Sequence, residues 1–369
     1  MILQPFVSQK LKFFSFLAMM LLVYVHGYNL NNSYLQPFTV VNERLTFTTF
    51  FEYLTANGLF RFRIPMLFII SGFLYALNDD KPNRQRIVKR VRTLVIPYLI
   101  WSGIALAITF LWQQFPPTAK AVYEAGLDQM GDNRPYAEID FAGMFARWTL
   151  VPVAFQLWFI RVLFVYNLLY PVLKKAVIKI PKYWFPFAGI MWLTMMGLHF
   201  IEGEGLLFFT LGIWIAKSGF NVENTPRWLN LKWIVPIFII SSILKTLLAF
   251  YMTGGLASFI VLTLLHKTVV FTGLVSMWFG CDVLVRYFMN RGWFVWISAF
   301  SFIIYALHVP LINYTAKFIL PYIHMVQNYR LLEYLVLPFV VIMFCVAMGA
   351  ILRKLVPGVY GWMTGGRGF

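Results

Sequence analysis

Residues 12–30 read KFFSFLAMMLLVYVHGYNL, an apolar stretch that ends close to a single histidine, His26. A helix needs about 20 mostly apolar residues to cross the hydrocarbon core of a bilayer, and this stretch has that length. It therefore predicts a membrane-spanning helix. Residue chemistry alone leaves His26 two roles: a solvated helix end, or a general base at an outward-facing cavity, because histidine titrates near neutral pH.

The composition extends this prediction to the whole chain. Of 369 residues, 60% are hydrophobic and 12% charged, and the mean hydropathy is +0.72. A water-soluble domain cannot bury so much apolar surface, whereas a lipid bilayer accepts it on the outside of the protein. The net charge of +17 does not indicate nucleic acid, because the basic residues fall in short loops between apolar segments.

Ten segments have the length and apolarity of a spanning helix. The predicted fold class is therefore an all-α polytopic membrane protein, with one integral-membrane domain over residues 1–369. The segments are 12–30, 59–77, 93–112, 152–172, 184–201, 205–217, 232–252, 257–284, 294–314 and 332–352.

The distribution of positive charge predicts the orientation. With the N-terminus inside, twenty of the 31 lysine and arginine residues fall in inner segments and eight in outer ones. Cytoplasmic loops carry such an excess. We therefore expect both termini in the cytoplasm and a multi-pass protein of the plasma or inner membrane.

Charged residues inside apolar segments are costly, so they are candidates for function. Arg161, about nine residues into the fourth segment, is expected near the midplane and facing a polar cavity. Arg61 and Arg63 flank the outer end of the second segment, where they either hold an anionic group or extend to lipid headgroups. Near the inner end of that segment, Ser71 and Gly72 permit close helix approach.

An inner loop is unusually basic. Residues 81–92 hold six lysines and arginines, among them Arg86, Lys89, Arg90 and Arg92. Three interpretations stay open: orientation only, binding of anionic lipid headgroups, or binding of the phosphates of a donor such as coenzyme A.

Further polar residues interrupt the later segments. His308 is expected in the outer half of the ninth segment, either as a second polar group of the same cavity or as a packed histidine. Lys245, His266 and Lys267 are buried candidates without a local motif.

Four stretches in order resemble the membrane acyltransferase 3 family. They are LLVYVHGYN; IPMLFIISGFLYA with a basic loop ending in RVRTLVIPYLIW; LWFIRVLF; and SFIIYALHVPL. The resemblance covers residues 12 to about 314. It implies an enzyme that passes an acyl group, usually acetyl, from cytoplasmic acyl-CoA to a hydroxyl of an extracytoplasmic glycan or related acceptor, such as a lipid-linked sugar.

The resemblance also implies roles for single residues. His26 takes the catalytic position, and Lys89, Arg90 and Arg92 fall in the segment associated with the donor, beside Arg86. A buried cation would stabilise the oxyanion, and Arg161 is the first candidate, followed by Arg63 and His308. Arg61, His308 and Asn29 are expected to line the cavity.

Two positions depart from the family pattern. Ser15 stands eleven residues before the histidine, where the family commonly has an arginine, and Asn29 stands where an acidic residue is often found. Asn29 could orient the imidazole by a hydrogen bond. It cannot stabilise an imidazolium as a carboxylate would, so the helper of His26 is left open.

Other functional classes are weighed against this one. Buried cations would also suit a transporter or flippase for an anionic or lipid-linked sugar, although the chain has no internal repeat. A sensor or scaffold subunit is a third alternative. The five histidines show no metal-ligand spacing, so no metal is expected, and a soluble-type serine hydrolase is excluded because no G-x-S-x-G motif occurs. The acceptor is open between glycans, lipid-linked oligosaccharides, peptidoglycan sugars and small molecules.

Overall fold

The computed structural model describes residues 4–27, 36–132, 134–198 and 200–368, and nearly all of its elements are helices. Eight of the helices in these residues are long and apolar enough to cross a membrane. This confirms an all-α polytopic membrane protein. Two predicted spans, 184–201 and 205–217, correspond to helices of 13 and 16 residues, which are shorter than the roughly 20 residues that a spanning helix needs.

The packing of the chain divides it into two compact units. Unit 1 comprises Met1–Val25, Leu30–Ile87 and Val165–Ser298. Unit 2 comprises His26–Asn29, Val88–Phe164 and Ala299–Phe369. The single domain over residues 1–369 stays a prediction.

Unit 1 contains the first helices of the chain, a later run of helices up to residue 298, and one short hairpin. In chain order its elements are α1 (Pro5–His26, whose last residue belongs to unit 2), α2 (Phe47–Tyr53), a π-helix (Leu54–Leu59), α3 (Arg63–Leu77), most of α4 (Asn83–Arg90), the later part of α8 (Trp158–Lys179), α9 (Pro181–Leu193), β1 (Gly197–Leu198), β2 (Ile201–Glu202), α10 (Gly203–Ser218), α11 (Leu231–Tyr251), α12 (Gly255–Gly280), α13 (Asp282–Met289) and α14 (Gly292–Ser298). The two strands pair antiparallel, with Gly197 opposite Glu202.

Helices α3 and α10 approach each other through glycines. A Cβ atom on Gly72 would lie 2.0 Å from the carbonyl oxygen of Phe209, and one on Gly212 would lie 2.2 Å from that of Ile69. Small residues allow membrane helices to pack at this distance. The close approach expected at Gly72 is thus present, and α10 supplies the partner glycine.

A cluster of ionic contacts follows α3 in unit 1. Asp79 lies 2.6 Å from the Nζ atoms of both Lys174 and Lys217, and it accepts a hydrogen bond of 2.9 Å from the Tyr170 hydroxyl. Burial opposes ionisation of this carboxyl, but the three donors outweigh it. The pKa of Asp79 therefore lies well below its usual value.

Unit 2 holds the remaining elements. They are the end of α4, a π-helix (Val91–Val95), α5 (Ile96–Trp112), α6 (Pro116–Ala125), a 3₁₀ turn (Tyr136–Glu138), α7 (Phe141–Thr149), a second 3₁₀ turn (Phe155–Leu157), the start of α8, α15 (Ser301–Ile323), α16 (Tyr329–Leu355) and α17 (Pro357–Thr364).

Two predicted boundaries in unit 2 are wrong, and both errors move a candidate residue. The fourth spanning helix begins at Trp158 and not near residue 152, because residues 151–154 are not helical and Phe155–Leu157 form a 3₁₀ turn. The ninth begins at Ser301 and not at residue 294, because residues 299–300 form a turn after α14.

Candidate active site

Helix α15 is broken directly after His308. Val309 has non-helical angles (φ −104°, ψ 132°), and the next residue is Pro310, whose nitrogen carries no hydrogen to donate to the carbonyl of Ala306. The side-chain amide of Gln156 reaches the carbonyl oxygens of Tyr305, Ala306 and Val309 at 3.4, 3.2 and 3.3 Å. Gln156 therefore supplies the donors that the broken helix lacks.

The same contact fixes the 3₁₀ turn Phe155–Leu157 against α15. The Tyr305 hydroxyl donates a hydrogen bond of 2.6 Å to the backbone carbonyl of Gln156. This arrangement holds the Phe155 ring against the His26 imidazole, with 4.9 Å between the ring centroids. His26 is half-buried at the last position of α1, so the turn forms one wall of its surroundings.

His26 and His308 form a hydrogen-bonded pair. Nδ1 of His26 lies 3.0 Å from Nε2 of His308, and the two rings are nearly parallel, with 18° between their planes. His308 is completely buried, at 0% exposure. Its other ring nitrogen, Nδ1, lies 2.9 Å from the carbonyl oxygen of Ile304.

The hydrogen-bond partners assign the protons of this pair. A carbonyl oxygen only accepts, so Nδ1 of His308 must carry the hydrogen that it donates to Ile304. In neutral His308 the lone pair is then on Nε2, which accepts from Nδ1–H of His26. In neutral His26 the lone pair is consequently on Nε2. The pair is thus arranged for His26 to gain a proton at Nε2 while His308 accepts from its Nδ1.

Arg161 lies in unit 2, but not where the sequence placed it. Because α8 begins at Trp158, Arg161 is in the first helical turn and not near the middle of the helix. Its Nη1 donates to the carbonyl of Leu150, and its guanidinium carbon lies 5.9 Å from the centroid of the Tyr98 ring. The side chain is half-buried. Arg161 lies four residues after Leu157, the last residue of the 3₁₀ turn whose Phe155 contacts His26.

Arg61 and Arg63 belong to unit 1, where they lie around the start of α3. Arg63 is buried, and its Nη1 donates a hydrogen bond of 2.9 Å to the carbonyl of Phe60. The charges of both arginines act on the imidazole of His266. The structure therefore groups these two arginines with another histidine, His266 of α12.

The predicted donor residues separate into two kinds. Lys89, Arg90 and Arg92 lie in unit 2, at the junction of α4 and the π-helix Val91–Val95, and Lys89 and Arg92 are exposed. Arg86 belongs to unit 1 and is buried: it donates 2.9 Å to the Tyr75 carbonyl. Its guanidinium carbon lies 4.0 and 4.4 Å from the centroids of the Tyr75 and Tyr170 rings.

Sequence reasoning missed the residues that support the pair. Gln156 and Phe155 lie in VPVAFQLWFI, where only the glutamine within an apolar run was a signal. Asn29, a predicted helper of His26, lies outside the described residues. Throughout the part of the chain that the structure describes, no three His, Cys, Asp or Glu side chains gather as a metal site would require.

Comparison with known proteins adds two findings. A family model described as an acyltransferase domain matches residues 9–352. The chain is also 24% identical over 323 residues to the succinoglycan biosynthesis protein ExoH of Rhizobium meliloti (strain 1021), an alignment that covers 84% of this chain and 80% of ExoH. No solved structure matches. His26, Arg161 and His308 all lie within the matched residues.

Proposed function

The chain belongs to the acyltransferase family whose model it matches, and from this membership we propose that it is an O-acyltransferase that uses His26 as its general base. Membership sets aside the transporter and scaffold alternatives, since the chain is a multi-pass membrane acyltransferase. We propose further that the donor is cytoplasmic acyl-CoA, usually acetyl-CoA. The acceptor is a hydroxyl of an extracytoplasmic polysaccharide or lipid-linked sugar, at the plasma or inner membrane.

The observation that carries this proposal is the hydrogen bond between His26 and His308. A histidine that acts as a base needs a fixed tautomer and a partner that stabilises its protonated form. His308 supplies both: its Nε2 accepts from Nδ1 of His26 at 3.0 Å, and its own orientation is fixed by Ile304. This is the role that neither Ser15 nor Asn29 fills by residue type.

The transfer then follows with atoms and charges balanced. Nε2 of His26 removes the proton of the acceptor hydroxyl as the oxygen attacks the thioester carbonyl. The tetrahedral intermediate carries a negative charge on the former carbonyl oxygen. When it collapses, the carbon–sulfur bond breaks, and the leaving thiolate takes the proton back from His26. The products are the O-acylated acceptor and coenzyme A with a free thiol.

The remaining roles are assigned by charge. Arg161, in the same unit as the histidine pair, is the first candidate to stabilise the oxyanion, because a fixed cation at low dielectric is effective there. Arg63 stays a weaker candidate from the sequence. Lys89, Arg90 and Arg92 are suited to the phosphates of the donor, while the contacts of Arg86 with Tyr75 and Tyr170 favour a structural role.

The acceptor class follows from the relative. ExoH is a succinoglycan biosynthesis protein, and succinoglycan is a polysaccharide, so a cell-surface polysaccharide is the acceptor that the likeness favours. Outward delivery requires His26 on the extracytoplasmic side, and the positive-inside charge distribution supports that orientation.

Mass spectrometry of envelope polysaccharides from a deletion strain tests the proposal. We expect one acyl group per modified residue to be lost, and to return with the wild-type gene but not with His26→Ala. Immunoblotting of the membrane fraction controls for insertion of the variant. An unchanged polysaccharide spectrum in the deletion strain would overturn the polysaccharide acceptor.

A further inference from the structure

The tail, residues 356–368, packs within unit 2 against α5 and the π-helix Val91–Val95. The indole nitrogen of Trp101 donates 2.9 Å to the Met363 carbonyl, and Nη1 of Arg353 donates 2.9 Å to that of Gly368. At Gly365 the backbone has φ +61°, and a Cβ atom there would lie 2.6 Å from Cα of Thr93. Only glycine fits this approach, so the tail has a defined position beside the π-helix Val91–Val95.

The packing of the tail fixes the position of one cation, Arg367. Its Nη1 donates to the carbonyl oxygens of Thr93 at 2.9 Å and Thr364 at 3.2 Å, and its guanidinium carbon lies 4.8 Å from the centroid of the Phe302 ring. Among the described residues both hydrogen bonds come from Nη1. A guanidinium has five N–H donors in a planar fork, so the Nε and Nη2 donors are available to a ligand.

The charge around Arg367 calls for an anion. Burial lowers the pKa of the Arg367 guanidinium to about 10, and the positive charge of Arg90 acts in the same direction, opposed by Tyr305. Arg90 and Arg367 are like charges, and like charges repel each other. None of the ion pairs between described residues includes Arg367. An anionic group bound by the Nε and Nη2 donors of Arg367 would give this guanidinium a partner of opposite charge.

We propose that Arg367 and Arg90 together bind a phosphate group of the acyl donor. The inference rests on the proposed function and adds to its donor site a residue from outside the matched family region, which ends at residue 352. Guanidinium groups bind phosphate in a bidentate manner. An anionic lipid headgroup offers the same chemistry, and the donor is favoured by what lies next along α15.

Helix α15 connects this phosphate site to the proposed catalytic histidines. Phe302, under Arg367, and His308 are six residues apart, which corresponds to about 9 Å along a helix. Tyr305 lies between them, and the charges of both Arg161 and Arg367 act on its hydroxyl. A donor anchored at Arg367 by a phosphate could therefore extend its arm along this helix toward His26. Binding of a lipid headgroup does not require the site to be aligned with the histidines, whereas delivery of an acyl group does.

Binding of coenzyme A to purified protein, measured by calorimetry in detergent, tests the proposal. We expect Arg367→Ala to weaken binding about 10- to 100-fold and Arg367→Lys to weaken it less, because lysine keeps the charge but not the fork. Lys354→Ala is the matched control, since it removes an exposed cation from the same part of the chain. Pantetheine, which lacks the nucleotide phosphates, should not distinguish Arg367→Ala from the wild type.

If Arg367 and Arg90 bind the same phosphate, a double variant gives a second test. The effects of Arg367→Ala and Arg90→Ala on coenzyme A affinity should be less than additive in the double variant, because both residues contact one group. If Arg367→Ala disturbs the tail, Arg367→Gln removes the charge and keeps a donor for Thr93. Thermal unfolding identifies variants with an intact fold.

Three outcomes would overturn the inference. The first is equal coenzyme A affinity of the wild type and the folded Arg367 variants. The second is an absence of coenzyme A binding by the wild type. The third is a difference between wild type and variant that appears only when phosphatidylglycerol replaces phosphatidylcholine, which would assign the site to lipid. By contrast, normal coenzyme A binding without polysaccharide acylation would overturn the proposed function and leave the phosphate site intact.

Discussion

Two buried histidines, one in each unit, have different partners. His308 of unit 2 donates to a backbone carbonyl and accepts from His26, a group that can itself gain a proton. His266 of unit 1 is 4% exposed, and its Nδ1 lies 3.4 Å from Nζ of Lys245. Lys245 also donates to the carbonyl and side-chain oxygens of Asn57 at 2.6 and 3.2 Å.

The difference separates a site for chemistry from a structural contact. The amino group of Lys245 donates to both oxygens of Asn57 and lies within hydrogen-bond distance of Nδ1 of His266, so each of these contacts ties it to a buried neighbour. In the His26–His308 pair the partner of His308 is an imidazole, and a neutral imidazole can take one more proton. Both histidines are buried, and the chemical nature of their hydrogen-bond partners differs.

The largest effect is expected when His26 is removed. His26→Ala should lower the rate of acyl transfer about 10²- to 10⁴-fold, because the acceptor hydroxyl loses its general base. Acetyl transfer by purified, folded protein measures this. His324→Ala, which changes an exposed histidine, should retain the wild-type rate. Near-normal transfer by folded His26→Ala would show that the base is elsewhere.

His308 should matter less, because it acts through His26 as a positioning residue. We expect His308→Leu to lower kcat about 10- to 100-fold with little change in KM. His308→Gln should recover part of the loss, because its side-chain oxygen can accept from Nδ1–H of His26.

The pH profile distinguishes this role from a loss of packing. In His308→Leu the imidazolium form of His26 loses its acceptor, so the acid limb of the rate profile should move to lower pH, and Gln should move it back. An unchanged acid limb in both variants would reduce His308 to a packed histidine and remove the contrast with His266.

Much of the fold follows from local signals in the sequence. Apolar length predicts the membrane helices, since the cost of a polar residue in lipid acts on each segment separately. The same signal misplaced Arg161, because apolar residues continue through 152–157, where the backbone is not yet α-helical. Hydropathy measures the solvent preference of a segment and not its backbone conformation.

The partners of the site could not be predicted in the same way. His26 and His308 are 282 residues apart, and only the packing of unit 2 brings them together. The helix broken at Pro310 needs hydrogen-bond donors, and Gln156 supplies them. The two residues are far apart in the sequence, so no local pattern predicts the contact. In the sequence, Arg367 is one basic residue near the end of the chain. Its proposed role depends on its contacts with Thr93 and Phe302, which the sequence does not indicate.

Lys245 tests the structural half of the comparison. Lys245→Met should lower the free energy of unfolding by about 1–3 kcal/mol, because the carbonyl and side-chain oxygens of Asn57 lose their donor in a buried place. Transfer per folded molecule should stay near the wild-type value. Lys232→Met, at an exposed position of α11, is the control. Loss of transfer with an intact fold would place unit 1 in the chemistry.

The smallest effect is expected at Asp79, whose ionic contacts in unit 1 we regard as structural. Asp79→Asn should lower the free energy of unfolding by about 1 kcal/mol at pH 7, since Lys174 and Lys217 lose a charged partner. Because the pKa of Asp79 is lower in the folded protein than in the unfolded chain, this stabilisation is fully present above the unfolded value of about 4 and is lost as the pH falls below it. Thermal unfolding should therefore distinguish wild type from Asp79→Asn at pH 5–7 and show converging midpoints toward pH 3. Midpoints that stay equally far apart at every pH would mean that Asp79 stabilises unit 1 by packing and not by its charge.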